Sequence, residues 1–126
     1  MLVFLSGIVV GMILFQTIVV AASIFRTLEP PEAGKVLRKI FPKLFAALTF
    51  LGLVFLTISV LQHARNLIKA VGIIGVVFPV ICYLIVPATN RAKDEGKHKT
   101  FAMYHRISVM LTMIVLLLNI AVLFLA

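Results

Sequence analysis

Apolar residues run along this chain in four long, nearly unbroken segments, and the charged residues gather between them. The first segment runs from Leu2 to Phe25, the second from about Leu44 to Leu61, the third from about Ala70 to Val86, and the fourth from about Ile107 to Leu125. Each approaches or exceeds the ~17–25 residues that a helix needs to cross the hydrocarbon core of a bilayer. Lipid offers no partner to a backbone N–H or C=O, and a chain this short cannot close a large barrel, so helices are the structure that remains. The pattern predicts helices over about 2–25, 42–62, 67–87 and 101–125, forming a single transmembrane domain over residues 1–126.

The first segment ends in a small-residue patch, Ala21-Ala22-Ser23, that resembles a signal-peptidase site. No Lys or Arg precedes the segment, it is too long for a signal-peptide core, and its first cation, Arg26, follows it. A retained membrane helix is expected.

The first connection, "EPPEAGKVLRKIFP", has a pattern of its own. Pro31 and Glu32 mark a helix start. Val36, Leu37, Ile40 and Phe41 then fall on one side, and Lys35, Arg38 and Lys39 on the other. The periodicity fits a short basic amphipathic helix at the membrane interface and equally fits an extension of the second helix carried through Pro42. The architecture expected is all-α: an integral membrane four-helix bundle with a short amphipathic interfacial helix in the first cytoplasmic loop. Glu32-Ala-Gly34-Lys35 and Glu95-Gly96-Lys97 occupy similar places in the two hairpins and give a faint internal echo.

Composition supports this reading. The chain has 126 residues, 63% of them hydrophobic, and a mean hydropathy of +1.20, values of the integral-membrane class. Twelve Lys and Arg oppose four acids, a formal charge of +8. These cations sit in short segments between apolar runs, so they point to topology and anionic lipid rather than to nucleic acid. Ten of the twelve fall in the first and third connections or at the start of the fourth helix, and only Arg65 and Lys69 lie in the second. The positive-inside rule then places both long loops in the cytoplasm and both termini outside, as expected of a multi-pass protein of the cell's inner (plasma) membrane. Cys82 stands alone in an apolar run, with no disulfide framework and no Cys-x-x-Cys metal motif.

Polar residues inside apolar segments are costly and should face the bundle interior. At about 100° per residue, His105, Ser108, Thr112 and Asn119 share one face of the fourth helix, and Gln16, Ser23 and Thr27 one face of the first. Gly72, Gly75, Pro79 and Tyr83 share a face of the third. Small residues let backbones approach, and Ser, Thr, Asn and Gln are expected to bond between helices. Gln16, Ser23, Thr112 and Asn119 are the expected interior polar residues. Pro79 deprives the Gly75 carbonyl of its usual partner and is expected to kink the third helix.

No Ser/His/Asp, zinc, phosphate-loop or paired-carboxylate pattern is present, so no catalytic residue is assigned and an enzyme is not expected. His105 is the one histidine at the head of a membrane helix. A haem held between helices commonly takes two axial histidines, and no second one lies in the membrane. Met103, Met110 and Met113 near His105 bring in copper, since thioether and imidazole suit Cu(I). No cofactor is expected; haem or copper is the alternative, with His105 as ligand and Arg91 anchoring a carboxylate group.

The stretch "NRAKDEGKHKTFAMYHRIS" resembles the signature of the transmembrane-protein-205-like family, whose bacterial members are classed as a domain of unknown function. That signature reads Asn-Arg-x-x-Asp, a gap, then Phe-x-x-x-His-x-x-Ser. Asn90, Arg91, Asp94, Phe101, His105 and Ser108 fill those places. Upstream, "AGKVLRKIFPKL" is similar to the family's Ala-Gly-(Lys/Arg)…Phe-Pro stretch at Gly34 and Pro42. The resemblance implies a small four-helix membrane domain without an agreed activity, and more distantly a layout similar to copper-resistance CopD and haem-linked protoporphyrinogen oxidase proteins.

Three functions compete at this point. The first is a structural or accessory membrane subunit that packs with itself or with a larger membrane complex, with membrane lipids and no nucleic acid as partners. The second is a haem- or copper-binding membrane protein. The third is a small transporter or channel, disfavoured because all four acids lie in connections.

Overall fold

A computed structural model describes all 126 residues. The chain is an all-α four-helix bundle. Its helices, α1 (Leu2–Thr27), α2 (Pro30–Leu61), α3 (Asn66–Asp94) and α4 (His98–Leu125), are each long and apolar enough to cross a membrane. They close into a ring in chain order, α2 packing on α3, α3 on α4, and α4 back on α1, with α1 also touching α2. Short turns between neighbours make successive helices antiparallel. Leu2, Leu5, Phe55, Ile68, Val71 and Val122 meet in one apolar cluster, so both termini and the α2–α3 turn share one end of the bundle. The opposite end carries ten of the twelve cations.

The expected separate interfacial helix does not form. The Pro30–Leu61 helix is continuous through Pro42, and the amphipathic segment is its first turns. With 32 residues, α2 is about 48 Å long at 1.5 Å per residue, against a hydrocarbon core of about 30 Å. α3 likewise runs on past Pro87 to Asp94 rather than ending at the membrane. The two extensions pack on each other at the basic end, where Ala33 and Leu37 of α2 and Ala92 of α3 are buried. That contact is why the helices continue beyond the apolar runs.

The buried positions follow a 3-4 spacing: Phe45, Leu48, Gly52, Phe55 and Ser59 on α2, and Ile68, Gly72, Gly75, Pro79 and Cys82 on α3. An average near 3.5 residues is the repeat of left-handed, coiled-coil-like packing. It also corrects the expected α3 face. The seam drifts from the straight-helix line, so Cys82 is buried and Tyr83 is turned outward, 48% exposed. At the α2–α3 crossing the backbones nearly touch. A Cβ on Gly52 would overlap the carbonyl oxygen of Gly75, and one on Gly72 would lie 3.0 Å from the Leu56 Cα.

α1 changes winding at Phe15–Ala21, seven residues of π-helix. A π turn takes about one residue more than an α turn, so the helix face rotates across it. Gln16 is accordingly buried and Ser23 exposed, which removes Ser23 from the expected interior set.

Two turns close with the same capping motif. After α2, His63 N–H donates to the Val60 carbonyl at 3.0 Å and Ala64 N–H to that of Ser59 at 2.9 Å, with His63 at φ 51°. After α3, Gly96 N–H donates to the Lys93 carbonyl at 3.2 Å and Lys97 N–H to that of Ala92 at 2.9 Å, with Gly96 at φ 69°. Both are Schellman motifs with a left-handed residue just past the cap. Gly34, by contrast, lies inside α2, so the faint echo with Gly96 has no structural counterpart.

Candidate functional site

The basic end of the bundle gathers most of the signature residues. Asn90 and Asp94 lie one turn apart on the last turns of α3, and Arg38 reaches them from α2. Its Nη1 donates to Asp94 Oδ2 at 3.1 Å, its Nη2 to Asp94 Oδ1, and Nη2 also lies 3.5 Å from the Asn90 carbonyl oxygen. This is a two-pronged guanidinium–carboxylate pair at a helix C-terminus, where a cation is favoured by the helix dipole. Arg91 and Arg106, the arginines nearer to Asp94 in sequence, make no ion pair with it. Arg38 was absent from the sequence-derived set because its role depends on both helices continuing past the membrane. Arg38 holds the Asp94 carboxyl below its ordinary range, chiefly by hydrogen bonding, and the same contact raises the guanidinium.

On α4, the rings of Phe101 and His105 stack at 5.8 Å with 12° between their planes. Lys93 Nζ sits 5.1 Å from the centre of the Phe101 ring, within the range of a cation–π contact. His105 is exposed and does not lead a polar stripe into the bundle. Met103, Met110 and Met113 are exposed as well. No three His, Cys, Asp or Glu side chains converge as a metal-ligand set. Arg91 is exposed and faces a groove beside Tyr104 that His105 does not line.

Inside the bundle, polar side chains close back on their own helix. Thr112 Oγ1 donates to the Ser108 carbonyl and Asn119 Nδ2 to that of Val115, both at 2.8 Å. Ser59 Oγ donates to the Leu56 carbonyl at 2.7 Å. The interhelical bonding expected of such residues is confined to a weak contact from Cys82 Sγ to the Ser108 carbonyl at 3.8 Å. Gln16 Nε2 and Ser6 Oγ are buried without a partner. At the far end, Arg65 donates to the Leu125 carbonyl at 2.8 Å, so an arginine meets a helix C-terminus at each end of the bundle. Of the upstream signature residues, Gly34 is half-buried with open space around it, and Pro42 is half-buried within α2.

The helices use their glycines unequally. Gly52, Gly72 and Gly75 are consumed by the α2–α3 contact. Gly7 and Gly11 are exposed, with no atom within 4 Å of an added Cβ, on the outer face of α1. They form a Gly-x-x-x-Gly pair bracketed by exposed Phe4, Phe15 and Ile18.

A family model described as "Domain of unknown function (DUF4149)" matches residues 4–98. The match ends where α4 begins. An uncharacterized protein of Aquifex aeolicus (strain VF5) is 27% identical over 108 residues, covering 83% of this chain and 78% of that one. No solved structure matches the chain.

Proposed function

The chain belongs to the DUF4149 family, and from that premise we propose that it is a structural or accessory membrane subunit whose α1 docks a further membrane helix. The exposed Gly7-x-x-x-Gly11 face carries this reading. Glycines spaced by four let two helix backbones approach in lipid, where packing and not apolarity drives association. The bundle spends its other interhelical glycines internally and leaves this pair open. The occupant is a second copy of this chain or a larger complex.

Other observations bear on the alternatives. The cavity beside Gly52 and Asn119 has a volume of about 10 Å³, near the ~10–15 Å³ that one water requires. A cavity of that size gives the transporter reading no support. The haem or copper reading rests on His105, whose ring lies on the outer surface against Phe101. The charge asymmetry supports an inner-membrane orientation with both termini outside. In a Cys82→Ala background, single cysteines at Gln62 and Lys99 should label from opposite sides, Gln62 from outside; the reverse would overturn the orientation.

Light scattering of the protein purified in mild detergent, with mass spectrometry of whatever accompanies it, tests the docking role. Wild type should carry a second copy or a partner, and Gly7→Leu/Gly11→Leu should lose it while keeping its helix content. A wild type that runs as a lone monomer, indistinguishable from the variant, would sink the reading.

A further inference from the structure

Between the last turns of α3 and the first turns of α4 lies an open groove of about 150 Å³, lined by Ala88, Arg91, Ala92, Glu95, Lys97, Thr100 and Tyr104. It holds a group far larger than a water, which needs roughly 10–15 Å³. Ala88 and Ala92, one turn apart, form a wall too low to fill it. The hydroxyl residues Thr100 and Tyr104, also one turn apart, stand on the α4 wall.

The charges around the groove are unevenly satisfied. Glu95 pairs with Lys97 at 2.9 Å on the rim, and Asp94 is held by Arg38. Both acids of this turn are therefore neutralised by other cations. The Arg91 guanidinium makes no ion pair or hydrogen bond to the protein. It is a planar, permanently charged fork facing a groove with hydroxyl donors on its opposite wall, and that donor set fits the oxygens of a phosphate.

The groove's position favours one source of phosphate. It lies at the end of the bundle that carries ten of the twelve cations. One turn further into the apolar segments, Leu84 on α3 and Ile107 on α4 are exposed, and their spacing from Ala88 and Tyr104 keeps them on the same helix faces. A molecule seated here meets cations and hydroxyls first and exposed apolar side chains next. That is the profile of an anionic lipid, and basic pockets between membrane helices are a recurring place for such headgroups. We propose that the α3–α4 groove binds the phosphate of an anionic phospholipid headgroup, gripped by Arg91 with Thr100 and Tyr104, its acyl chains lying along Leu84 and Ile107.

Native mass spectrometry of the full chain from detergent tests this, with phosphatidylglycerol, phosphatidylcholine or inorganic phosphate supplied in turn. Phosphatidylglycerol should be retained in preference to phosphatidylcholine. Arg91→Gln should weaken retention by about tenfold or more, the scale of one lost charge-assisted contact. Arg91→Lys, which keeps the charge and loses the fork, should also weaken it. Lys99→Gln removes the same charge outside the groove and should have little effect. Tyr104→Phe with Thr100→Val gives a second test that leaves every charge in place and should lower retention too. Equal losses in Arg91→Gln and Lys99→Gln would show diffuse attraction and overturn the site. So would equal retention of phosphatidylcholine, or retention untouched by the double hydroxyl variant. Inorganic phosphate that competes fully with the lipid at equal concentration would assign the groove to a free anion and overturn the lipid.

Discussion

At the scale of single residues, Gly52 has no room for a side chain, because Gly75 of the facing helix occupies the place a Cβ would take. Gly52→Ala forces the α2–α3 backbones apart, an overpacking that typically costs about 1–3 kcal/mol. Gly34→Ala is the matched control. It lies in the same helix with nothing within 4 Å, and losing glycine's backbone freedom should stabilise by roughly 0.5–1 kcal/mol. Thermal unfolding in detergent should therefore move in opposite directions for the two. Asp94 offers a second test. Arg38 holds its carboxyl below the ordinary range. A carboxyl lowered by folding stabilises the fold fully above its unfolded pKa, and that contribution fades as pH falls through the lowered value. Wild type should melt above Asp94→Asn at neutral pH, and the two should converge in acid below the carboxylate range. A constant difference across the whole range would show that the ion pair is not its source.

At the scale of elements, the two capping turns differ in one informative way. Gly96 adopts its left-handed conformation freely, whereas His63 adopts it against its Cβ. His63→Gly should stabilise the fold and Gly96→Ala should destabilise it, each by an amount on the order of 1 kcal/mol, so that the melting temperature rises for the first and falls for the second. The four spans were legible in the sequence because the bilayer sets their length. Their ends were not, because α2 and α3 continue in water through contacts of Ala33, Leu37 and Ala92 that no hydropathy window registers. Straight-helix arithmetic placed Gln16 and Asn119 inside, where they are. It misplaced Ser23 because α1 rewinds at Phe15–Ala21, and Tyr83 because the α3 seam follows a 3.5-residue repeat. His105 failed for a different reason: its ring stacks on Phe101 at the outer surface. The interior hydroxyls also bonded differently from the expectation. The Thr112 and Ser59 hydroxyls are satisfied by carbonyls of their own helix about one turn back, whatever helix stands opposite, while that of Ser6 has no partner. The α2–α3 join therefore falls to glycines within the membrane and to Arg38 beyond it.

At the scale of the whole molecule, the bundle has a closed interior and two working exteriors. The basic end carries the Arg38–Asp94 link and the Arg91 groove. The α1 face carries the open Gly7-x-x-x-Gly11 pair. The first is expected to meet headgroups and the second another helix, and the two faces are separable by mutation. Photo-crosslinking in intact membranes tests the second most directly. An aromatic photoreactive residue replaces Phe4 or Phe15, which bracket the glycine pair, or Phe50 on α2, which is equally exposed at 65%. The account predicts protein adducts of defined mass from positions 4 and 15 that disappear in Gly7→Leu/Gly11→Leu, and none from position 50. Lipid adducts alone at all three positions would contradict it.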